Sequence, residues 1–190
     1  MLQLIIGPMF SSKTSTLLTR LERAQIAGKR VILLRPNKDT REGLTHDDKP
    51  FKIEQLFVDK VFDLKHRYKY DVIGIDEAQF FNYPEFSTEI DTLAITHTVI
   101  ACGLNGTSER TPFKSIQDLI PLCDTLSMLT AICTSCGSEL GSFSYYTEGN
   151  KVSEVLVGGK GAYTALCRVC HAENTRHKLE ETFDGYQPKG

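Results

Sequence analysis

No apolar run among the 190 residues approaches the roughly 20 needed to span a bilayer, which excludes a helical membrane span. The first residues, Met1 to Ile6, lack the basic leader of a secretory signal. They meet Gly7-Pro8 too soon to hold its apolar segment, so a cytoplasmic location is expected. Excess charge is lacking as well. Lys plus Arg total 22 and Asp plus Glu total 24, for a net charge of −2. That balance excludes a chain held to nucleic acid mainly by global charge and leaves only a local basic patch open. Internal repeats and low-complexity tracts are absent. The 41% hydrophobic and 24% charged fractions are those of a soluble globular protein rather than a disordered one. The length exceeds one ordinary domain without reaching two, which suggests a domain with a small appendage. In a reducing compartment the six cysteines point to metal before disulfides.

Through residue 132 short apolar runs alternate with longer mixed segments. Leu2 to Ile6, Val31 to Leu34, Val72 to Ile75 and Thr98 to Ala101 read as buried strands, and Thr125 to Ile132 as a last apolar run. Lys13 to Ala27 carries Leu17, Leu18, Leu21 and Ala24 at helical spacing, with Gly28 placed to end the helix. A further helix is expected after Pro84. Continuous apolar strands alternating with helices imply a parallel sheet covered on both faces, a three-layer α/β core. Asn37 to Pro50 is charged and reads as a mobile loop. From Cys133 helical signals vanish, and residues from Ala172 to Gly190 are polar and expected to fray. The division is therefore 1–132 as an α/β domain and 133–190 as a second, smaller one.

Gly7-Pro8-Met9-Phe10-Ser11-Ser12-Lys13-Thr14 follows the first strand and opens the first helix. It matches the phosphate-loop pattern G-x-x-x-x-G-K-[ST] except that Ser12 replaces a glycine. Loop N–H groups and the helix N-terminus present positive potential to an anion, Lys13 adds a full charge, and Thr14 offers a hydroxyl to Mg²⁺. A serine at position 12 is tolerable if the backbone there has negative φ. The strand at 72–75 ends in Asp76-Glu77. Asp76 is placed to hold Mg²⁺, and Glu77 is free to accept a proton from an attacking hydroxyl or water. Either motif alone has an ordinary reading, a strand–turn–helix or a solvated strand edge; each strengthens the other.

Cys133-x-x-Cys136 and Cys167-x-x-Cys170 bring four thiolates to two knuckles, the tetrahedral sulfur set preferred by Zn²⁺. A closed set leaves no position for water, so its role is structural. His171 keeps the fourth ligand open, since it could replace Cys170. The excursion from 137 to 166 is long for a minimal ribbon. Cys102 and Cys123 read as core residues.

Gly-Pro-Met-Phe-Ser at 7–11, Asp-Glu-Ala-Gln-Phe-Phe at 76–81, the zinc cysteines and Gly-Gly-Lys-Gly-Ala-Tyr at 158–163 together resemble the zinc-containing type II thymidine kinases. The resemblance runs in order from Leu2 to Cys170. It implies a P-loop, RecA-like parallel sheet flanked by helices, with a small zinc-ribbon or lasso domain. It also implies transfer of the γ-phosphoryl of ATP to the 5′-hydroxyl of thymidine with Mg²⁺, in deoxynucleoside salvage, with deoxyuridine as a possible substrate. The stretch between the zinc knuckles would be a lasso closing over the nucleoside. Thymidine triphosphate would act there as feedback inhibitor, and the assembly would be a homotetramer.

Carried over by residue, the resemblance places Gly7 through Thr14, Asp76 and Gln79 with ATP and Mg²⁺, joined by Asp39 and Arg41. Glu77 takes the catalytic base role. Met9, Phe80, Leu104 and Phe113 line the nucleoside pocket, with Ser144, Leu156, Gly158 and Tyr163 completing it. Read without the resemblance, Met9, Leu104 and Phe113 could be core residues, Phe80-Phe81 a plug, Asp39 and Arg41 solvated charges, and Tyr163 a turn aromatic. Ser108 departs from an aromatic common in the family. A zinc-ribbon ATPase acting on nucleic acid is the rival; the net charge and the lack of a basic stripe with interleaved aromatics oppose it.

Overall fold

The computed structural model describes residues 1–38, 53–147 and 162–184. Six parallel strands form one sheet in the order β3-β2-β4-β5-β1-β6. They are β1 (Leu2–Gly7), β2 (Val31–Pro36), β3 (Glu54–Val58), β4 (Val72–Ile75), β5 (Thr98–Leu104) and β6 (Thr125–Met128). The helices of this part are α1 (Lys13–Ile26), α2 (Phe86–Thr96) and α3 (Lys114–Leu119).

Both sheet faces are buried, which is why the central strands are apolar without alternation. Leu2, Leu4, Ile32, Leu34, Ile73, Ile75, Val99 and Ala101 face one way and pack with residues of α2 and α3. Ile5, Val31, Leu33, Val72, Ile100 and Cys102 face the other and meet Leu17, Leu18 and Leu21 of α1. Gly74 lets α1 sit close to β4, since a Cβ there would lie 2.5 Å from Leu21 Cδ1. Register fixes the strand ends that matter for function. Ile75 of β4 pairs with Ala101 of β5, and Gly7 of β1 pairs with Leu104 of β5. The loop after β1 and the acidic pair after β4 thus leave the same carboxyl edge of the sheet, on either side of β5.

One strand was not anticipated, and two expectations needed revision. β3 is an edge strand whose first four residues are exposed, so it carries no buried pattern to read. Residues after Cys133 also contain a helix, α4 (Arg168–Asp184), where fraying was expected from Ala172. Its anchoring is tertiary rather than amphipathic: Cys170 and His171 are buried, and the Tyr145 hydroxyl donates to Asn174 O at 3.1 Å. The last apolar run also stops early. The strand ends at Met128, and Ile132 is 57% exposed, because the chain leaves the sheet to bridge Ala131 with Gly141. Beyond the bridge, β7 (Phe143–Tyr146) and β8 (Tyr163–Leu166) form an antiparallel pair. Their small core holds Cys133, Tyr145, Leu166 and Cys170.

Candidate active site and cysteine centre

The loop after β1 is tightly wound. A Cβ on Gly7 would fall 2.5 Å from Ser11 Oγ and 2.8 Å from Leu129 O, so only glycine fits. Phe10 and Ser12 both have positive φ, 63° and 59°. Ser12 therefore occupies the left-handed region that its side chain disfavours, contrary to the condition set for it above. Ser11 Oγ donates to Pro8 O at 2.9 Å. Lys13 Nζ curls back and donates to the same carbonyl at 2.6 Å, which keeps the ammonium at the loop, only 8% exposed.

Thr14 Oγ1 donates to Asp76 Oδ1 at 3.0 Å. Asp76 is fully buried and accepts two further contacts on Oδ1, from Glu77 N at 3.0 Å and Cys102 Sγ at 3.0 Å. Burial and then the Asp76 charge push the Cys102 thiol well up, so it stays protonated as the donor. Glu77 is half-buried and has φ of 50°, a strained conformation for a non-glycine residue of the kind found at functional sites. Gln79, 4% exposed, donates from Nε2 to Glu77 Oε2 and accepts from Leu104 N at 3.1 Å.

The residues assigned to the nucleoside divide. Met9, Phe80, Leu104, Phe113 and Tyr163 are half-buried, whereas Phe81 is a core residue stacked on Phe86 with centroids 5.4 Å apart. Phe80 is thus not part of the plug. Phe113 does pack partly against the main core, and Tyr163 lies against Tyr146 with centroids 5.1 Å apart. Ser144 is 3% exposed, and its Oγ accepts from Met9 N at 3.0 Å. Asp39, Arg41, Leu156 and Gly158 lie outside the described residues.

The ligand atoms of Cys133, Cys136, Cys167 and Cys170 all lie within 4.8 Å of one another. Cys136 Sγ and Cys167 Sγ are 3.8 Å apart, close to the sulfur–sulfur edge of about 3.8 Å expected for a tetrahedron of Zn–S bonds. Burial works to raise the Cys133 thiol, but the Cys167, Cys136 and Ser135 backbone N–H groups outweigh it and hold it at about 6. The donor set fits structural zinc.

His171 is turned elsewhere. Its Nε2 contacts Ser108 O at 3.0 Å, and its ring packs edge-on against Phe143 and Tyr145. Burial lowers its pKa. This leaves Cys170 as the fourth thiol of the cluster. Sequence reasoning missed this joint, and with it the bond from Asn105 Nδ2 to Ser142 O at 3.1 Å. Partners separated by 63 and 37 residues leave no local pattern.

Residues 1–171 match the family model described as thymidine kinase. The chain belongs to the thymidine kinase family. Its similarity to curated relatives spans nearly its whole length. It is 39% identical over 178 residues to thymidine kinase of Variola virus, covering 91% of this chain and 97% of that protein. Against thymidine kinase of raccoon poxvirus it is 38% identical over 179 residues, covering 90% and 96%. Against thymidine kinase 1 of Dictyostelium discoideum it is 36% identical over 181 residues, covering 90% and 77%. ATP-dependent phosphorylation of thymidine is the activity that membership carries. Among the described residues no helix is long and apolar enough to cross a membrane.

Proposed function

We propose that the carboxyl edge of the sheet transfers the γ-phosphoryl of ATP to the 5′-hydroxyl of thymidine. The observation that carries this reading is the direct Thr14–Asp76 contact, which joins the loop after β1 to the acidic end of β4. Gly7, Pro8, Met9, Phe10, Ser11 and Ser12 would form the loop around the phosphates, turning N–H groups to them except at Pro8, which has none, and at Met9, whose N–H is held by Ser144 Oγ. Lys13 would exchange the Pro8 carbonyl for phosphate oxygens, which form stronger charge-assisted bonds. Thr14 and Asp76 offer the hard oxygen donors that suit Mg²⁺. Bound there, Mg²⁺ would supply charge neutralisation on the phosphates.

The 5′-oxygen forms a bond to the γ-phosphorus as the bond to the β–γ bridging oxygen breaks. Glu77 takes the hydroxyl proton, and ADP leaves with the bridging oxygen's electrons. The protein's task is in-line placement and cancellation of charge. Asp39 and Arg41 would complete the phosphate site. Met9, Phe80, Leu104 and Phe113 would line the nucleoside pocket, with Ser144, Leu156, Gly158 and Tyr163 contributing from the segment between the zinc knuckles. Four cysteines binding Zn²⁺ would staple residues 133–190 as a lasso domain beside the nucleotide domain of 1–132. Thymidine triphosphate would occupy the nucleoside site as feedback inhibitor, and deoxyuridine would be a second substrate.

A homotetramer in the cytoplasm completes the proposal. The outer edge of β6, with Leu126 and Met128 about half exposed, supports contact between copies.

ATP consumption should be measured with thymidine, with single-stranded DNA and with neither. Thymidine-dependent turnover is expected, whereas turnover driven by DNA alone refutes the reading. Glu77→Gln should keep nucleotide binding and lower kcat by roughly 10²–10⁴; near-normal turnover would remove Glu77 from the base role.

A further inference from the structure

We propose that Gln79 is a positioning residue for the base: its side-chain amide clamps the Glu77 carboxylate to the end of β5 and sets the direction in which that carboxylate meets the acceptor hydroxyl. This proposal rests on the base role of Glu77 given above.

Gln79 lies in a short 3-10 turn, Ala78–Phe80, immediately after Glu77. Its amide orientation is determined by chemistry. Leu104 N can only donate, so the atom facing it at 3.1 Å must be the carbonyl oxygen of Gln79. The NH₂ group then faces Glu77 Oε2 and donates to it. The amide is 4% exposed, and a bond from a buried amide to an ionised oxygen is among the stronger types.

The clamp has a purpose because of the backbone it follows. Glu77 at φ 50° stands just beyond the strand, where the chain turns out of the sheet. Two residues on, Gln79 ties that side chain back to Leu104, the final residue of the central strand between the phosphate-loop strand and the acidic strand. Gly103 makes room for the tie. A Cβ there would lie 2.8 Å from Gln79 Oε1 and 2.6 Å from Ile116 Cδ1. The amide thus bridges the carboxylate proposed as base and the backbone of a residue assigned to the nucleoside pocket.

The donor should also tune the base. Donation to the ionised form favours the charge, so its removal raises the carboxylate's pKa. Among the described residues, Asp76, Lys13, the Cys102 thiol and the buried Arg35, which follows the Leu34–Ile75 pair, are ionisable groups at this sheet end, and none is altered by substitution at position 79.

The test uses the full-length enzyme with thymidine and ATP. Gln79→Leu keeps the bulk and removes both polar atoms; Gln79→Glu keeps the acceptor for Leu104 N and replaces the donor by a second carboxylate. The expectation is a fall in kcat of about 10–100-fold. The acid limb of the kcat–pH profile should move to higher pH, further for Gln79→Glu than for Gln79→Leu. A lower kcat with an unmoved acid limb in both variants would overturn the proposal, as would an unchanged kcat.

If Gln79→Leu does not fold, Gln79→Glu decides by the same pH readout. The double variant Glu77→Gln/Gln79→Leu should be no slower than Glu77→Gln alone, because the amide acts only through that carboxylate. Additive losses refute it. Near-normal turnover of Glu77→Gln would instead overturn the base reading. An inactive Glu77→Gln beside an unshifted Gln79 profile would overturn the positioning role alone.

Discussion

Replacing Ser12 by glycine should stabilise the protein, and the size of the gain follows from the backbone. Ser12 sits at φ 59°, ψ 29° and makes no side-chain capping bond to α1. An L-residue held in this region costs about 1–2 kcal/mol, a cost glycine escapes. Glycine in turn gives the unfolded chain more freedom, worth about 0.4–1 kcal/mol against the folded state. The serine hydroxyl is exposed, and the contacts at this position belong to its carbonyl, which accepts from Thr16 N and Thr16 Oγ1. Those survive the change.

The expected balance is a gain of about 0.5–1 kcal/mol, which for a chain of this length corresponds to about 1–4 °C in Tm. Urea unfolding should show a higher midpoint with an unchanged slope, since the surface exposed on unfolding stays the same. ATP affinity should hold or rise, because the loop no longer works against its own conformation. A midpoint lowered by a similar amount would refute the argument, for it would mean that the serine side chain contributes more than the left-handed backbone costs.

Three further outcomes are expected. Cys133→Ser, or removal of zinc by a chelator, should lower the melting temperature and weaken thymidine binding more than ATP binding; thymidine affinity unchanged in the metal-free protein, measured by calorimetry, would contradict this. Ser144→Ala removes the acceptor of Met9 N, so nucleotide affinity should fall several-fold while Ser144→Thr restores it; equal affinities for all three refute a role for that bond.

Arg30 holds the Asp71 carboxyl well below the usual carboxylate range, first through side-chain and then backbone hydrogen bonds. A depressed folded pKa stabilises above the unfolded value of about 3.9 and loses that contribution as pH falls through the lower folded value. The stability difference between wild type and Asp71→Asn should therefore stay level from pH 7 to 5 and shrink in more acid solution. A difference that grows towards acid would reverse the sign.

The parts of this molecule legible in the sequence are those whose physics is local. Strands β1, β2, β4 and β5 are buried on both faces, so Leu2 to Ile6 or Val31 to Leu34 could be read as unbroken apolar runs. The loop at 7–14 and the acidic end at 76–77 each place their polar groups within a few consecutive residues, and the parallel register brings both to one edge. By contrast β3 is an edge strand in which only Val58 is buried, and no periodicity marks it. α4 lacks an apolar stripe because its first turn is fixed by Cys170 in the thiol cluster and by His171 under the Ser108 carbonyl. Conformation at single residues was equally hidden. The glycine of the phosphate-loop pattern marks position 12 as one where φ matters without fixing its sign for a serine, and nothing in Asp-Glu announces a left-handed Glu77.

The bonds that escaped local reading share a direction: each runs from the cysteine-bearing segment to loops that leave the carboxyl edge of the six-stranded sheet. Ser144 Oγ takes Met9 N, Ser142 O takes Asn105 Nδ2, and His171 Nε2 meets Ser108 O. Arg110 and Arg168, one from each side of the joint, lie 5.5 and 5.0 Å from the Phe143 ring centre. A β-pair with four core residues buries too little apolar surface to hold these positions alone, which is where a metal staple substitutes for core. The cysteine centre therefore reaches beyond its own knuckles. By fixing β7 it fixes the acceptor of a loop N–H, so loss of metal should disturb the phosphate side of the site as well as the nucleoside side. The thymidine effect should be the larger, because only one of these bonds ends on the loop after β1 whereas the other two end beyond Leu104, a residue assigned to the nucleoside pocket.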